Sequence, residues 1–235
     1  MLASEPADGA TGVPREADYR VFFDRPLHPR DLHRGHVRIE SGTRPIFALP
    51  RFDPVQRVLH VEHGTLDPNV RYRLEIEGMR DLGRAEMAPV SIVFDTGEAL
   101  GSSTPTPSPG WDDVAPVLRA RCATDGCHGG EAPVLGLDLS SGAAVQRTAI
   151  DVAAAQTRVG IQEEAPWEGT ETLAGLARID VVASVGRPAR SYLLYKVLGE
   201  PHAPGERMPP PPASALPAGE LQLLSDWILA GAPTD

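Results

Sequence analysis

A chain of 235 residues can form one large domain or two modest ones, and the usual size of domains favours two. Its hydrophobic content of 41% is enough for buried cores, while no apolar run approaches the roughly 20 residues that a membrane-spanning helix requires. The formal net charge of -10 argues against nucleic acid as a partner.

The amino-terminal stretch MLASEPADGATGVP has neither the positively charged region nor the apolar region of a secretory signal. Two explanations remain open at this point. Either the protein stays in the cytoplasm, or the sequence begins after a removed export signal, in which case Met1 was added in cloning.

Short runs of alternating polar and apolar residues dominate the first 97 residues. They lie at 19–23, 36–40, 57–63, 71–78 and 90–97, with Asp, Pro and Gly between them. In the fourth run, Tyr72, Leu74 and Ile76 fall on one face and charged residues on the other, which is typical of a half-buried strand. Five such strands with short turns predict an all-β sandwich over residues 1–97.

Five of the seven histidines also lie in this part of the chain, which raises the question of a metal site. They are His28, His33, His36, His60 and His63. His60 and His63 would point to opposite faces of a strand, and no cysteine or carboxylate cluster gives ligand spacing around them. We therefore interpret all five as solvated surface histidines.

Several segments within residues 4–97 carry turn and strand markers in a characteristic order. They read PADGATGVP, FDRPL, LDPNVRYRLEIEGMRDLGR and, at the end, VFDTG. This order resembles the bacterial immunoglobulin-like domain found in many exported, multidomain proteins. The resemblance implies an immunoglobulin-like β-sandwich and export, and it implies no ligand.

The stretch GEALGSSTPTPSPG at 97–110 consists mainly of Gly, Ser, Thr and Pro and cannot contribute to a core. We predict a linker over residues 98–110 and a second domain over residues 111–235.

Residues 121–130, RCATDGCHGG, contain the only two cysteines, Cys122 and Cys127, with His128 directly after the second. A disulfide would close a loop of four intervening residues, would add little stability and would leave His128 without a role. A zinc site needs four ligands, and the rest of this half offers only His202 and carboxylates. Covalent haem uses two thiols and the following imidazole, usually as C-x-x-C-H and here as C-x-x-x-x-C-H.

The segments after this motif follow a recognisable order: LDLSS, GRPARSYLLYKVLG, RMPPPP and LPAGELQLLSDWILAGAP. The order resembles that of monohaem c-type cytochrome domains of exported bacterial proteins, across residues 110–235. The resemblance implies a mainly α cytochrome c domain with one haem c. Cys122 and Cys127 would form the thioethers, His128 would be the proximal iron ligand and Met208 the distal ligand.

The resemblance also implies that two predicted helices of this domain pack against each other. The helix at 218–230 places four apolar residues on one stripe, and the helix at 111–122 offers three. These are Leu221, Leu224, Trp227 and Ile228, facing Val114, Val117 and Leu118. We expect Trp227 to pack beside the haem.

The segment at 142–185 has no assigned role. Its part LARIDVVASVG at 176–186 looks like a strand, and residues 159–175 are interpreted as an exposed acidic loop without chemistry at Trp167 or the Glu163 and Glu164 pair.

A haem iron held by both His and Met has no open position for a substrate, so the resemblance implies one-electron transfer and no enzymatic activity. Because haem is attached to cysteine outside the cytoplasm, it also implies a periplasmic or cell-surface protein whose export signal precedes this sequence. A lipid anchor before residue 1 is compatible with this expectation.

Two other classes of function stay open. If Met208 is displaceable, the protein could be a haem-based small-molecule sensor or a peroxidase-like enzyme, with His202 and Arg207 close in sequence. Alternatively, the chain is a structural adhesion module that carries the haem domain as part of a larger assembly.

The acidic residues are distributed unevenly along the chain. Residues 1–97 contain 13 arginines and 15 acidic residues, whereas residues 98–235 contain 9 basic and 17 acidic residues. The second half therefore carries most of the negative charge. We expect its redox protein partner to have a basic docking surface and their association to slow as salt is added.

Overall fold

A computed structural model describes residues 1–101, 108–157 and 173–235. The chain divides into two compact units, Met1–Thr106 and Pro107–Asp235. The first residues of the predicted linker belong to the first unit, because the carbonyls of Ala99 and Leu100 accept hydrogen bonds from the backbone N–H groups of Arg15 and Glu16 at 3.0 and 2.7 Å. Residues 102–107 of the linker lie outside the described residues.

The first unit is built from nine strands among its described residues. They are β1 Ala3–Glu5, β2 Ala10–Val13, β3 Tyr19–Phe22, β4 Val37–Ser41, β5 Arg44–Ile46, β6 Ala48–Asp53, β7 Val58–His63, β8 Arg71–Ile76 and β9 Val90–Thr96. One sheet has the order β1-β3-β7-β6 and the other has the order β2-β9-β8-β4-β5. All pairs are antiparallel except β2 with β9, which is parallel.

The core of the first unit lies between the two sheets. Tyr72, Leu74 and Ile76 of β8 are buried as the alternating pattern predicts, while their neighbours along the strand are more exposed. Tyr19 of β3 meets Phe94 of β9 edge to face, with ring centroids 4.9 Å apart, so side chains of the two sheets contact each other directly.

An ion pair with a buried carboxylate fastens the connection between β3 and β4 to the segment after β8. Asp31 accepts three hydrogen bonds from Arg80, one from its backbone N–H and two from its guanidinium, at 2.7 to 3.0 Å. Burial alone would raise the pKa of Asp31, but the bonds from Arg80 outweigh burial and lower it. Asp31 is therefore a charged carboxylate that the folded state stabilises.

The prediction that all five histidines of this unit are solvated is wrong for His28. This residue is buried, and burial lowers its pKa. Its Nδ1 atom accepts a hydrogen bond from the backbone N–H of Arg30 at 3.2 Å, so the ring takes part in the same connection as Asp31. Its place in the core depends on how this connection folds over the sheets, which the spacing of the histidines does not show.

The described residues of the second unit contain four complete α-helices and one short hairpin. They are α1 Trp111–Arg121, α2 Gly142–Thr148, α3 Tyr192–Leu198 and α4 Ala218–Leu229, with β10 Val181–Val182 and β11 Val185–Gly186. Single 3-10 turns lie at Val134–Gly136, Ala155–Thr157 and Pro188–Arg190. The helices make up a minority of these residues, so the expectation of a mainly α unit is met only in part. Glycine and proline are frequent here, and much of the chain forms loops around a small helical core.

The predicted packing of the first and last helices is confirmed. Val114 and Leu118 of α1 lie in one buried cluster with Leu224, Trp227 and Ile228 of α4. Val117 and Leu221 are partly buried against this cluster. Arg121 and Glu220 add an ion pair between the two helices at 3.1 Å.

Two glycines bring backbone into contact with backbone in this unit. A Cβ atom on Gly186 of β11 would overlap the carbonyl oxygen of Ile228, and one on Gly142 of α2 would overlap the carbonyl oxygen of Thr234. The hairpin and the start of α2 can therefore approach α4 and the segment after it only because these residues lack side chains.

Part of the segment at 142–185 is described. The predicted strand at 176–186 is present only as the hairpin of β10 and β11, and residues 159–172 of the predicted acidic loop lie outside the described residues. None of the helices in the described ranges is long and apolar enough to cross a membrane.

Candidate functional site

The cysteine motif forms a closed loop at the end of α1. Cys122 is the first residue after the helix, and its carbonyl accepts a hydrogen bond from the N–H of His128 at 3.1 Å. The N–H of Cys127 bonds the carbonyl of Thr124 at 3.0 Å. Gly129 lies so close to Ala123 that a Cβ would overlap the carbonyl of Ala123. The two extra residues between the cysteines are thus accommodated in a compact turn.

Backbone hydrogen bonds also fix the chain that follows the loop. The carbonyl of Cys127 accepts from the N–H of Val134 at 2.7 Å, and the carbonyl of His128 accepts from the N–H of Leu139 at 2.8 Å. The backbone of His128 is therefore held by hydrogen bonds on both sides of the motif.

Both thiols are free and half-buried, and no disulfide joins them. Burial, followed by the nearby Glu220 carboxylate and the Cys127 sulfur, raises the pKa of the Cys122 thiol to about 11. Cys122 is consequently a neutral thiol near neutral pH. Of the three roles that the motif leaves open, the disulfide is not the arrangement found in this structure.

The ring of His128 is a partly buried imidazole with an unsatisfied nitrogen. Burial lowers the pKa of His128, against a smaller raising effect of backbone groups at Leu137 and Val134. Its Nδ1 atom is buried and has no hydrogen-bond partner among the described residues. A neutral imidazole is the form that binds metals, and a buried ring nitrogen without a partner is costly unless a further group satisfies the ring.

The motif opens onto a cleft with two adjoining parts. The inner part has a cavity volume of about 100 Å³, and the outer part, at about 700 Å³, is within the size range of small-molecule and cofactor sites. Its walls are mostly apolar: Val134, Leu135, Leu137, Leu139, Ala154, Ala155, Leu193 and Val197, together with Cys122, His128, Gln156, Arg178, Tyr192, Lys196 and Met208. The outer part is lined by Cys122, Cys127, His128 and Met208 and by the segment 209–214.

Met208 is brought to this cleft by the loop between α3 and α4. Its backbone N–H donates to the carbonyl of Lys196 in α3 at 2.9 Å, which joins the end of the loop to the helix. His202 lies on the same loop, yet it is not among the described residues that line either part of the cleft. The structure thus brings Cys122, Cys127, His128 and Met208 together around one space and leaves His202 outside it.

Trp227 lies elsewhere. It is completely buried in the core between α1 and α4, and its indole Nε1 donates to the carbonyl of Pro233 at 2.9 Å. It is absent from the described residues that line the cleft, so its contribution to the site is to support the two helices.

Two buried cations in the cleft wall were not singled out from the sequence. The guanidinium of Arg178 donates to the carbonyls of Leu135, Gly136 and Thr148 at 2.6 to 3.0 Å. Lys196 donates to two carbonyls of the loop that carries Met208, and burial lowers its pKa. The sequence could have indicated that Lys196 is buried, because it is the only lysine in the chain and it follows the apolar run YLLY.

These residues fit a covalently attached haem. Two free thiols lie at an apolar cleft of sufficient size, next to a neutral imidazole with an unsatisfied nitrogen, and a thioether lines the same cleft. In the described ranges, no group of three or more His, Cys, Asp or Glu side chains is arranged to hold a metal ion.

Comparison with known proteins gives partial matches. No protein-family model matches the sequence. A segment of 84 residues is 34% identical to alkane uptake protein B of Marinobacter nauticus, and the match spans 35% of this chain and 8% of that protein.

Among solved structures, domains 1-6 of the surface layer protein SbsC align with a TM-score of 0.33 and 13% identity, over 40% of this chain and 14% of that one. The amino-terminal part of the S-layer protein SbsC aligns with a TM-score of 0.34 and 13% identity, over 41% of this chain and 24% of that one. A likeness of this degree establishes neither a shared fold nor a shared function.

Proposed function

We propose that this protein transfers electrons outside the cytoplasm and carries one haem c. Cys122 and Cys127 would hold the haem as thioethers, with His128 as the proximal and Met208 as the distal iron ligand. The observation that supports this proposal best is that all four side chains line one cleft, although Met208 is 80 residues from His128 in sequence.

Bound at this site, a haem would supply reversible one-electron oxidation and reduction. The chain's own contribution is to hold two ligands and to exclude water. Loop closure around Gly129 orients the His128 ring, and the apolar walls formed by Leu137, Leu139 and Leu193 keep the inner cleft dry. If His128 and Met208 both held the iron, no position would be left for a substrate, and we propose no enzymatic activity.

For the first unit we propose an immunoglobulin-like sandwich. If its strands other than β2 and β5 are lettered in chain order, the sheet β1-β3-β7-β6 has the order ABED, and β9, β8 and β4 of the other sheet have the order GFC. Tyr72 at the start of β8 accepts a hydrogen bond through its hydroxyl from the N–H of Asp67 at 2.9 Å. A tyrosine that bonds backbone a few residues upstream at this corner is typical of such domains.

We further propose a periplasmic or cell-surface location and an electron-exchange partner with a basic surface. The location follows from the attachment chemistry, which takes place outside the cytoplasm. The partner follows from the excess of acidic residues in the second half of the chain.

The first test is whether haem is attached to the chain. The protein is produced with an export signal in a host with cytochrome c maturation machinery, and a denaturing gel is stained for haem peroxidase activity. We expect colour at the mass of the chain, and none for the double variant Cys122→Ser, Cys127→Ser. A colourless wild-type band from correctly exported protein would refute the proposed function.

Carbon monoxide distinguishes electron transfer from the sensor or peroxidase-like alternative. We expect the reduced wild-type protein to resist carbon monoxide, because Met208 would hold the iron and leave no free position. Ready binding by the unmodified protein would instead favour a displaceable ligand and an open iron.

A further inference from the structure

Lys196 is one of two buried cations in the wall of the inner cleft. It is the only lysine, it is 7% exposed, and its side chain lines the inner cleft among apolar residues of α3. Arg178, the second, donates to the carbonyls of Leu135, Gly136 and Thr148, none of which lies in the loop that carries Met208. A buried ammonium that faces a cleft requires hydrogen-bond acceptors to offset its loss of hydration.

Those acceptors are backbone carbonyls of a single loop. Lys196 Nζ donates to the carbonyl oxygen of Pro204 at 2.7 Å and to that of Glu206 at 2.5 Å. The carbonyl oxygen of Lys196 itself accepts the N–H of Met208 at 2.9 Å. One residue of α3 therefore holds the loop at three points within five residues, and the last of these points is Met208.

The strength of this attachment follows from its chemistry. A hydrogen bond donated by a charged group is stronger than one between neutral groups, and both carbonyls would be left unsatisfied if the ammonium were removed. The loop contains Pro204 and Gly205 and has no helix or strand of its own between α3 and α4. Its conformation near the cleft thus depends on contacts with α3.

We infer that Lys196 is the positioning residue for Met208: by binding the carbonyls of Pro204 and Glu206, it holds the thioether in the cleft. This inference rests on the proposed function, in which Met208 is the distal iron ligand. Lys196 acts through the loop and does not itself bind iron. A thioether is a weak ligand, so a loop that is not held would release it readily.

The test compares three variants of the full-length protein purified from an exporting host. Lys196→Met keeps the length of the side chain and removes its donors, and Lys196→Gln retains a shorter, neutral donor. Tyr195→Phe is the matched control, because it removes one buried hydrogen bond from the adjacent residue of α3, to the carbonyl of Ala189 on another segment.

Two measurements are made on each variant. Amide hydrogen exchange at residues 205–208 reports whether the loop is held, and it does not depend on bound haem. Titration of the oxidised protein with imidazole, followed by the far-red sulfur-to-iron absorption band, reports how easily Met208 is displaced. A general loss of stability would not change imidazole affinity selectively.

We expect Lys196→Met to exchange these amides about tenfold faster and to bind imidazole about tenfold more tightly, with Lys196→Gln between it and the wild type. Tyr195→Phe should match the wild type in both measurements. If Lys196→Met does not fold, the comparison of Lys196→Gln with Tyr195→Phe decides the question in the same way.

The ways in which this inference can fail are distinguishable. Unchanged exchange in the lysine variants would show that Lys196 does not hold the loop, and unchanged imidazole affinity would show that holding the loop does not position Met208. Either result overturns the inference while leaving the electron-transfer proposal intact. A colourless wild-type protein would refute the proposed function itself, and the role of Met208 with it.

Discussion

Met208 and His202 lie six residues apart on the same loop, and both carry side chains that can bind haem iron. The course of the loop brings only one of them to the cleft among the described residues. Met208 is joined to α3 through its N–H and lines the cleft, whereas His202 is not among the described cleft residues. The hydrogen bonds of Lys196 with Pro204 and Glu206 join the part of the loop between these two residues to α3.

Substitution of these two residues should therefore have different effects. We expect Met208→Ala to abolish the far-red sulfur-to-iron band and to lower the reduction potential, because a thioether ligand favours Fe(II). His202→Ala should leave both nearly unchanged. Absorption spectra of the oxidised protein and a redox titration measure the two quantities.

The opposite pattern would identify a different ligand set. If His202→Ala removes the low-spin spectrum and Met208→Ala does not, the iron has two histidine ligands and the assignment of Met208 is wrong.

The roles of single residues could be predicted from the sequence where the residues that act together are close in the chain. Cys122, Cys127 and His128 lie within seven residues, and a single turn of chain puts them together. The role of Lys196 could not be derived from sequence, because its partners are backbone carbonyls, which every residue possesses. Only the three-dimensional course of the loop determines which carbonyls face the ammonium.

Among the elements, the hairpin of β10 and β11 depends on one missing side chain. Gly186 lies against the carbonyl of Ile228 near the end of α4, and its Cα atom leaves no room for a Cβ. The hairpin thereby covers the end of the helix that forms the core with α1. Backbone at this position cannot move aside easily, because Ile228 is itself completely buried.

We expect Gly186→Ala to destabilise the second unit by about 3 kcal/mol or to prevent its folding, as severe overpacking does. Gly219→Ala is the control, since a Cβ atom at this position in the first turn of α4 would meet nothing within 4 Å. That variant should be neutral or more stable by up to about 1 kcal/mol. Thermal unfolding followed by circular dichroism measures both, and equal melting of the two variants would contradict the contact.

Elements with a strong periodic pattern were predictable. Five of the strands in the first unit lie within one residue or two of the alternating runs. The strands β1, β2, β5 and β6 were missed, because they are short or contain proline, as β5 does at Pro45 and β6 at Pro50. Their place in the sheets is determined by pairing with distant strands, which no local pattern contains.

At the scale of the whole molecule, we expect the first unit to fold on its own. Both sheets of the first unit and the core between them are built from residues 3–96, and the bonds of Ala99 and Leu100 extend that unit toward residue 101. We expect a fragment of residues 1–101 to unfold cooperatively with a β-type circular dichroism spectrum. A fragment that ends at Gly97 should be less stable, since it lacks the two bonds to Arg15 and Glu16.

Aggregation or disorder of the longer fragment would contradict an independently folding unit.

The dependence of the fragment's stability on pH tests whether the ion pair of Asp31 and Arg80 forms. The pKa of Asp31 is lowered by Arg80, so its stabilising contribution is complete above the ordinary carboxyl pKa of about 3.9 and is lost as pH falls through the lower folded-state value. Asp31→Asn should therefore cost stability at neutral pH, by about 1 to 2 kcal/mol, and less near about pH 3.

The segment after α4 is synthesised late, and the packing of the second unit includes it. Ala232 is buried, the carbonyl of Pro233 accepts the indole N–H of Trp227, and the carbonyl of Thr234 fills the space beside Gly142. A ribosome adds these residues about a hundred positions after the cysteines. The packing of the second unit is therefore complete only after these residues have been made. Under the proposed function, that delay is the interval in which a maturation enzyme reaches Cys122, whose thiol is half-buried once folding is complete.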